Sequence, residues 1–517
     1  MRNRFIRLAS VAVAVQFLAA CSAMHEAMEP KPMTPVQKHE QLVKDQTDMY
    51  ARQEPVTGPI SFYEAAARAL KYNLDYRLKL MESALSANLR DVSAHEMLPR
   101  IVAAAGRSGR SNDSGGTSIG IEDREVSLRP STSEERYHNT SGLGLSWSVL
   151  DFGVAYYRTQ QKADQILMAE ERRRKVAQNV LQDVRNAYWR ALGAQRLLPE
   201  VDGLLARTQK ALDAAREAEK KGLLPRQQIL AYQRALLDSI ALLTVRRQDL
   251  EFAQAELAAL MSLPPGTPMQ LVDSEGLEVD MVKISPNMAQ LERLSLERRP
   301  EIREEWYRKR VNQKDLDIAK AQLWPNISVS AGVQYDSNQY LYNNNWSQTG
   351  INVSLNLLKL LQLPALEATA ANQAATDDMR RIALSMAILT QVRVGALRYE
   401  LARQEVVFAD QSLRVDRSLL DYAVAAKTTA FGSELEVIRA EGRFLLARYQ
   451  REAAYSRAQA AWGRLYNSIG LDVMPEAIEN QDVATLAVSI RNTVNVQEVG
   501  NLLSVPDAAT PLEVKKP

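Results

Sequence analysis

The residues of this 517-residue chain that could do covalent or metal chemistry are few and scattered. There is one cysteine, Cys21, and there are four histidines, His25, His39, His95 and His138. One thiol cannot close an internal disulfide, and the histidines share no metal-ligand spacing. Met24, His25, Met28 and Met33 bring together thioethers and an imidazole, donors that suit soft metals such as copper or silver. They stand in a proline-containing stretch that reads as a linker, so no metal site is assigned. Gly142-Leu143-Gly144 lacks the third glycine and the helix of a dinucleotide loop, and Asn343-Asn344-Asn345 reads as a turn. Paired carboxylates, a Ser-His-Asp set and a Gly-rich nucleotide loop are not found in a workable context. The sequence predicts no cofactor and no enzymatic role.

Composition narrows the class further. Lys plus Arg number 64 against 62 Asp plus Glu, a formal charge of +2 that gives no reason to expect nucleic acid as a partner. With 46% hydrophobic and 24% charged residues, the chain is neither a bundle of membrane helices nor wholly disordered. Aromatics at 6%, with abundant Ala, Leu, Arg, Glu and Gln, favour long helices.

The amino-terminal residues read as an export signal. Arg2, Arg4 and Arg7 precede an apolar run from Leu8 to Ala20, whose 13 residues fall short of the roughly 20 needed for a transmembrane helix. Leu18-Ala19-Ala20-Cys21 resembles the bacterial lipobox. The resemblance implies cleavage before Cys21, acylation of its sulfur and new amino group, palmitate among the acyl chains, and, with Ser22 rather than Asp following, an outer-membrane address. The excess of basic residues then belongs to the signal, because the mature chain carries 61 basic and 62 acidic side chains. No later segment offers 18 consecutive apolar residues, so any further crossing of a membrane must use β-strands.

A self-comparison finds two matching halves. Met97 to Gly106 parallels Leu323 to Gly332 at a shift of 226, with Pro99 against Pro325. Ser141 to Ser146 parallels Thr349 to Ser354 at a shift of 208, which also pairs Val184-Arg185 with Val392-Arg393, Arg190 with Arg398 and Leu263 with Leu471. One length change of 18 residues between Gly106 and Gly142 reconciles the two shifts. Each half reads helix, strand, strand, long helix, helix. Pro99 and Pro325 end the leading helices. Ile327, Val329, Ala331, Val333 and Tyr335 then alternate with polar or small residues, as do Leu143, Leu145, Trp147 and Val149, and Ile351, Val353, Leu355 and Leu357. Apolar residues at steps of three and four, such as Val176, Val180, Val184, Ala187 and Ala191, run on so far that each long helix would reach roughly 90 to 100 Å, the length of a coiled coil or helical tube. Pro199 and Gly203 predict a kink or break in the first.

The expected division is a signal peptide over 1–20, a lipidated extended tether over 21–60, a first repeat over 61–284, a second over 285–471 and a carboxy-terminal equatorial segment and tail over 472–517. In the first repeat, helices are expected over about 61–98, 153–221 and 225–263, and strands over about 100–111 and 140–150. In the second, helices are expected over about 286–324, 364–430 and 433–469, and strands over about 326–336 and 348–358. Four strands cannot close a barrel in lipid, so membrane-spanning strands would oblige the chain to associate; three copies would supply twelve strands and roll the rods into a hollow cylinder.

The duplicated order of elements, the Pro-x-Ile strand starts at Pro99 and Pro325, the Arg299-Pro300-Glu301-Ile302 string and the turn from Gly222 to Leu230 resemble the TolC-type outer-membrane efflux proteins, in particular their lipoprotein branch. The resemblance spans about residues 61–471. It implies a mainly α fold with a membrane β-barrel, a homotrimer with a twelve-stranded barrel and a periplasmic helical tunnel, and docking to a periplasmic adaptor and an inner-membrane pump or ATP-driven exporter. By the same resemblance, Gly222, Leu223, Leu224, Gly432 and Ser433 would contact the adaptor at the tips, and Glu434, Glu436 and Arg439 would line the periplasmic aperture. Gln228 stands where the second repeat has Glu436, and Arg439 where the family often has an acid, so an acidic constriction ring is not expected. The functional expectation is a passive exit duct for small toxic compounds or metals. The same duct serving protein or polysaccharide secretion, and a periplasmic coiled-coil scaffold lipoprotein without a channel, remain as alternatives.

Overall fold

The computed structural model describes residues 32–51, 53–126, 129–221, 225–272, 288–427, 434–471, 478 and 481–499. The chain divides into two units, Met1–Glu54 and Pro55–Pro517. In the first, the stretch expected to be extended contains helix α1, Pro35–Tyr50. Thr34 Oγ1 accepts from Gln37 N at 3.3 Å and Gln37 Oε1 accepts from Thr34 N at 3.0 Å, a reciprocal cap with Pro35 in the first turn, where a missing donor costs nothing.

The second unit begins with α2 (Phe62–Tyr72) and α3 (Leu74–His95), followed by β1 (Arg100–Gly109), β2 (Tyr137–Ser148), α4 (Val149–Lys220) and α5 (Arg226–Leu260). Helices α6 (Met288–Arg298) and α7 (Pro300–Ala321) then lead to β3 (Asn326–Asp336), β4 (Asn345–Ser354), α8 (Leu363–Lys427), α9 (Glu434–Ile469) and α10 (Val483–Val499). The elements recur at the two sequence offsets. The junction between α2 and α3, where Asn73 Oδ1 caps the Tyr76 N–H at 3.1 Å, lies 226 residues before the junction of α6 and α7, where Pro300 opens the new helix. Each leading segment is thus two helices rather than one.

Strand β4 stops at Ser354, short of the alternation that runs on to Leu357. Asn356 intervenes, its Oδ1 accepting from Leu358 N at 3.1 Å and starting a 310 turn over Leu357–Gln362. Helix α4 runs unbroken through Pro199. Proline inside a helix costs about 3 kcal/mol. Leu197, Val201 and Leu204, all buried on either side of it, oppose that cost, each side chain contributing about 1.5–3 kcal/mol on full burial.

Packing along the rods follows a repeat of seven. Ile229, Leu236, Leu243, Leu250 and Leu257 are buried along α5, and Val392, Tyr399 and Val406 along α8, the spacing of supercoiled helices. On one side of β1–β4 in the chain's course, the helices lie in the order α3, α4, α7, α8; farther along the rods the order is α5, α4, α9, α8. At the changeover, α2 and α10 cover α4 through a core of Ala66, Leu70, Val184, Tyr188, Leu486 and Ile490, and α6 covers α8 and α9 through Leu291, Val392, Trp462 and Leu465. The ends of α5 and α9 are equivalent. Ser262 (φ 57°) and Gly470 (φ 78°) take the left-handed conformation, and the next amides, of Leu263 and Leu471, return to the carbonyls of Ala258 and Tyr466.

A β-carbon at residue 470 would stand 2.8 Å from Arg299 N, against the junction of α6 and α7, whereas one at Gly266 (φ 80°) would meet nothing within 4 Å. Gly470→Ala should therefore destabilise the protein more than the roughly 1–2 kcal/mol of backbone strain expected at Gly266→Ala. Thermal melts of both variants in detergent check this; equal shifts would show that the helix junction accommodates the methyl group.

Candidate functional site

The four strands form one antiparallel sheet in the order β1-β2-β3-β4, and their register sorts side chains by face. Ile101 faces Leu145, Leu145 faces Ala331, Leu143 faces Val333, Trp147 faces Val329 and Ile327 faces Val353. The other face pairs Gly142 with Gln334, Ser146 with Ser330 and Ser328 with Asn352. Through the middle of β2 and β3 one side is mainly apolar and the other polar or bare, with Val102, Ala104 and Trp346 as apolar exceptions on the second. A one-residue slip would exchange them. Strands of 10 to 12 residues reach across a bilayer when tilted. The outer edges of β1 and β4 carry unpaired backbone groups, and both strands are exposed along their whole length.

Aromatic residues gather at the two ends of the strands. Trp147, Phe152 and Trp324 lie where strands meet helices, Trp147 and Phe152 in an edge-on contact with centroids 5.7 Å apart. Tyr137 and Tyr335 mark the opposite end, with Tyr340 and Tyr342 in the loop beyond, whereas Trp346, opposite Gln334, lies on the polar face. This is the girdle pattern of membrane barrels. Beyond the second girdle, the loop after β1 is tied to the loop after β3. Buried Asn338 donates from Nδ2 to Ser133 O at 2.9 Å and accepts at Oδ1 from Glu135 N at 3.2 Å. His138 Nδ1 lies 2.8 Å from Asp336 Oδ1. Within the first loop, Arg136 grips Asp113 through two contacts of 2.7 and 2.6 Å, and the pairing lowers the Asp113 carboxyl below its ordinary value.

The helical layer is also open at both sides. Leu78, Met81, Leu85, Leu89 and Val92 of α3 are exposed, as are Met379, Ile382, Met386, Leu397 and Phe408 of α8. Within the layer, several charged groups are paired. Arg451 bonds Asp410 at 3.1 Å and Glu452 at 2.9 Å, Arg310 pairs with Asp164, and Arg207 with Glu441. Glu301 is mostly enclosed; burial raises its carboxyl, but bonds from Arg299, with Lys175 nearby, leave it below the ordinary range.

Of the site residues expected from sequence, Cys21, Gly222, Leu223, Leu224, Gly432 and Ser433 lie outside the described residues. Glu434, Glu436 and Arg439 occupy the first turns of α9. Glu434 pairs with Lys427, while Glu436 and Arg439 share a recess of about 560 Å³ with Leu243, Leu419 and Tyr422. The ties at Asn338 and the helix α1 were not anticipated. Thr34-Pro35-x-Gln37 carried a readable cap for the helix, but nothing local announced the tie from Asn338 to the other loop, since Ser133 and Glu135 lie about 200 residues away. Among the described residues, no group of three or more His, Cys, Asp and Glu could hold a metal ion, and no helix is long and apolar enough to cross a membrane.

A sheet of membrane length joined to a layer of very long helices is the fold of outer-membrane channels that combine a β-barrel with a helical tunnel. The chain belongs to the outer membrane efflux protein family, which it matches over residues 77–262 and 291–471. The solved outer-membrane channel OprN is similar in structure, with a TM-score of 0.58 at 18% identity over 79% of this chain and 89% of that one. The Neisseria gonorrhoeae MtrE outer-membrane channel, solved in an open state, gives 0.61 at 16% over 79% and 88%. The Campylobacter jejuni CmeC outer-membrane channel gives 0.61 at 12% over 86% and 94%. No curated protein matches the chain in sequence.

If the apolar face of the sheet meets lipid, adjacent residues in the middle of β3 must respond differently. Ala331→Arg should cost about 2–4 kcal/mol and reduce the heat-modifiable folded protein in outer-membrane fractions, whereas Ser330→Arg should be close to neutral. Equal loss in both variants would contradict the assignment of faces.

Proposed function

We propose that three copies of the chain close into an outer-membrane exit duct. The observation that carries this reading is the match between two sets of open edges. In the sheet, β1 and β4 lack neighbours; in the helical layer, α3 and α5 on one side and α8 on the other bear exposed apolar residues. Joining β4 of one copy to β1 of the next satisfies the backbone and, at three copies, gives twelve strands. The same step sets α8 beside α3 and α5 of the neighbour, closing the layer into a tube. Helices α2, α6 and α10 belong outside it, because nine further helices would fill the bore.

The duct is passive. It conducts small toxic compounds or metals across the periplasm and outer membrane when docked to a periplasmic adaptor and an inner-membrane pump, which choose the cargo and supply the energy. The hairpin turns at Gly222, Leu223 and Leu224 and at Gly432 and Ser433 form the periplasmic tips that meet the adaptor, and Glu434, Glu436 and Arg439 lie at the aperture. Residues 1–20 are removed on export, and acyl chains on Cys21 anchor the tether in the outer membrane, each buried methylene contributing about 0.8 kcal/mol. The repeats at 61–284 and 285–471 build barrel and tunnel, and 472–517 belts the equator and ends in a tail.

Purified protein should run as a heat-modifiable trimer and form single channels in planar bilayers; Glu434→Ala combined with Glu436→Ala should raise conductance. A monomer without channels would overturn the duct, and an unchanged leak in the double variant would move the aperture elsewhere. Cys21→Ser should abolish incorporation of radiolabelled palmitate while leaving barrel assembly intact; undiminished labelling would refute the anchor.

A further inference from the structure

The two repeats differ in charge at one pair of equivalent positions, and the difference opens a site. In the first repeat, Arg190 of α4 bonds Glu256 of α5 at 2.6 Å. A shift of 208 carries this pair to Arg398 of α8 and Arg464 of α9. The acid has become a second arginine. Among the described residues, neither Arg398 nor Arg464 makes an ion pair within 4 Å, and both line a recess of about 1100 Å³ between α4, α8 and α9. Of the other charges there, Arg457 is paired with Glu405 at 2.5 Å, while Arg299 and Lys175 share Glu301 at 2.7 and 3.3 Å, leaving one further positive charge. Asp183 of α4 is the acid whose field reaches Arg464, and it also faces Glu256. Asn467, bonded to Asn179 and Gln182 at 3.2 and 3.1 Å, supplies an uncharged polar wall.

The recess lies on a particular side of the layer. Its α4 residues Lys175, Asn179, Gln182 and Asn186 are set about half a helical turn from Ala177, Val184 and Tyr188, which pack into the core shared with α2 and α10. On α4 it therefore opens away from α2 and α10, and its lining runs across the layer to Arg299 and Glu301 at the start of α7. Under the trimeric duct reading, on which this inference rests, the face away from α2 and α10 is the bore. We propose that Arg398 and Arg464 form an anion-binding site in the wall of the duct, one per protomer, that holds small solutes bearing carboxylate or phosphate groups. Guanidinium groups suit such ligands because their planar donors match two oxygens at once. A site inside a narrow channel is screened less than an exposed surface pair, since low-dielectric walls confine the field.

Citrate is the probe. Isothermal titration of the detergent-solubilised full chain should detect citrate binding, and citrate should reduce single-channel current in planar bilayers. Arg464→Glu gives α9 the acid that α5 has, so the variant should fold with an internal pair like that of the first repeat and bind citrate at least about tenfold more weakly. Arg464→Gln should weaken binding without adding a new pair. Equal citrate affinity in wild type and both variants, or no binding by wild type, would overturn the site. Citrate binding without any channel formation would overturn the duct reading and leave the site standing.

Discussion

Everything in this protein follows from the unpaired edges of a four-stranded sheet. Backbone N–H and C=O groups left open in hydrocarbon cost several kcal/mol each, and β1 and β4 present a full strand of them. In the proposed trimer, a neighbouring protomer meets that demand. The same association would cover the helices, because the edges of the layer, α8 on one side and α3 with α5 on the other, carry exposed apolar residues. The length of the rods then comes at little cost, because a seven-residue repeat of buried Leu, Ile, Val and Tyr can extend for as many turns as the span requires.

Duplication supplies the pseudo-symmetry, and its imperfections supply the differences between positions. The left-handed ends of α5 and α9 use Ser262 in one repeat and Gly470 in the other. Ser262 donates from Oγ to Tyr72 O at 3.1 Å beside the α2–α3 junction, whereas a β-carbon at Gly470 would stand 2.8 Å from Arg299 N at the α6–α7 junction, so only glycine fits there. Similarly, Glu256 pairs with Arg190, whereas Arg464 stands at the equivalent position and Arg398 has no ion pair among the described residues. Two halves with the same fold therefore present different chemistry to the same space.

Much of the architecture was legible in the chain itself. The prolines at 99 and 325, the alternation from Ile327 to Tyr335 and the long three-four periodicity after Val149 each reflect a local rule, steric or hydrophobic, that tertiary context reinforced. The readings that changed were those in which a local rule met an opposing contact. Pro199 did not break α4, because buried neighbours on both sides hold the helix together. The leading helices split at Asn73 and Arg299, where a side-chain cap or a proline begins a new axis. The prolines between residues 22 and 60 suggested an extended chain, yet Thr34 and Gln37 cap a helix that starts with one of them.

The sequence alone determined the order of elements, the face each strand presents and the offset between repeats, since these depend on backbone geometry and on periods of two, three and a half, or seven. It also carried the family resemblance that pointed to an outer-membrane duct. Only the tertiary structure decided which charges share a space. The tie from Asn338 to Ser133, the approach of Lys175 to Glu301 and the meeting of Arg398 with Arg464 in one recess all join side chains whose proximity depends on how helices and loops pack. An electrostatic interaction is set by separation and by exclusion of water, and neither is written in the spacing of residues along the chain.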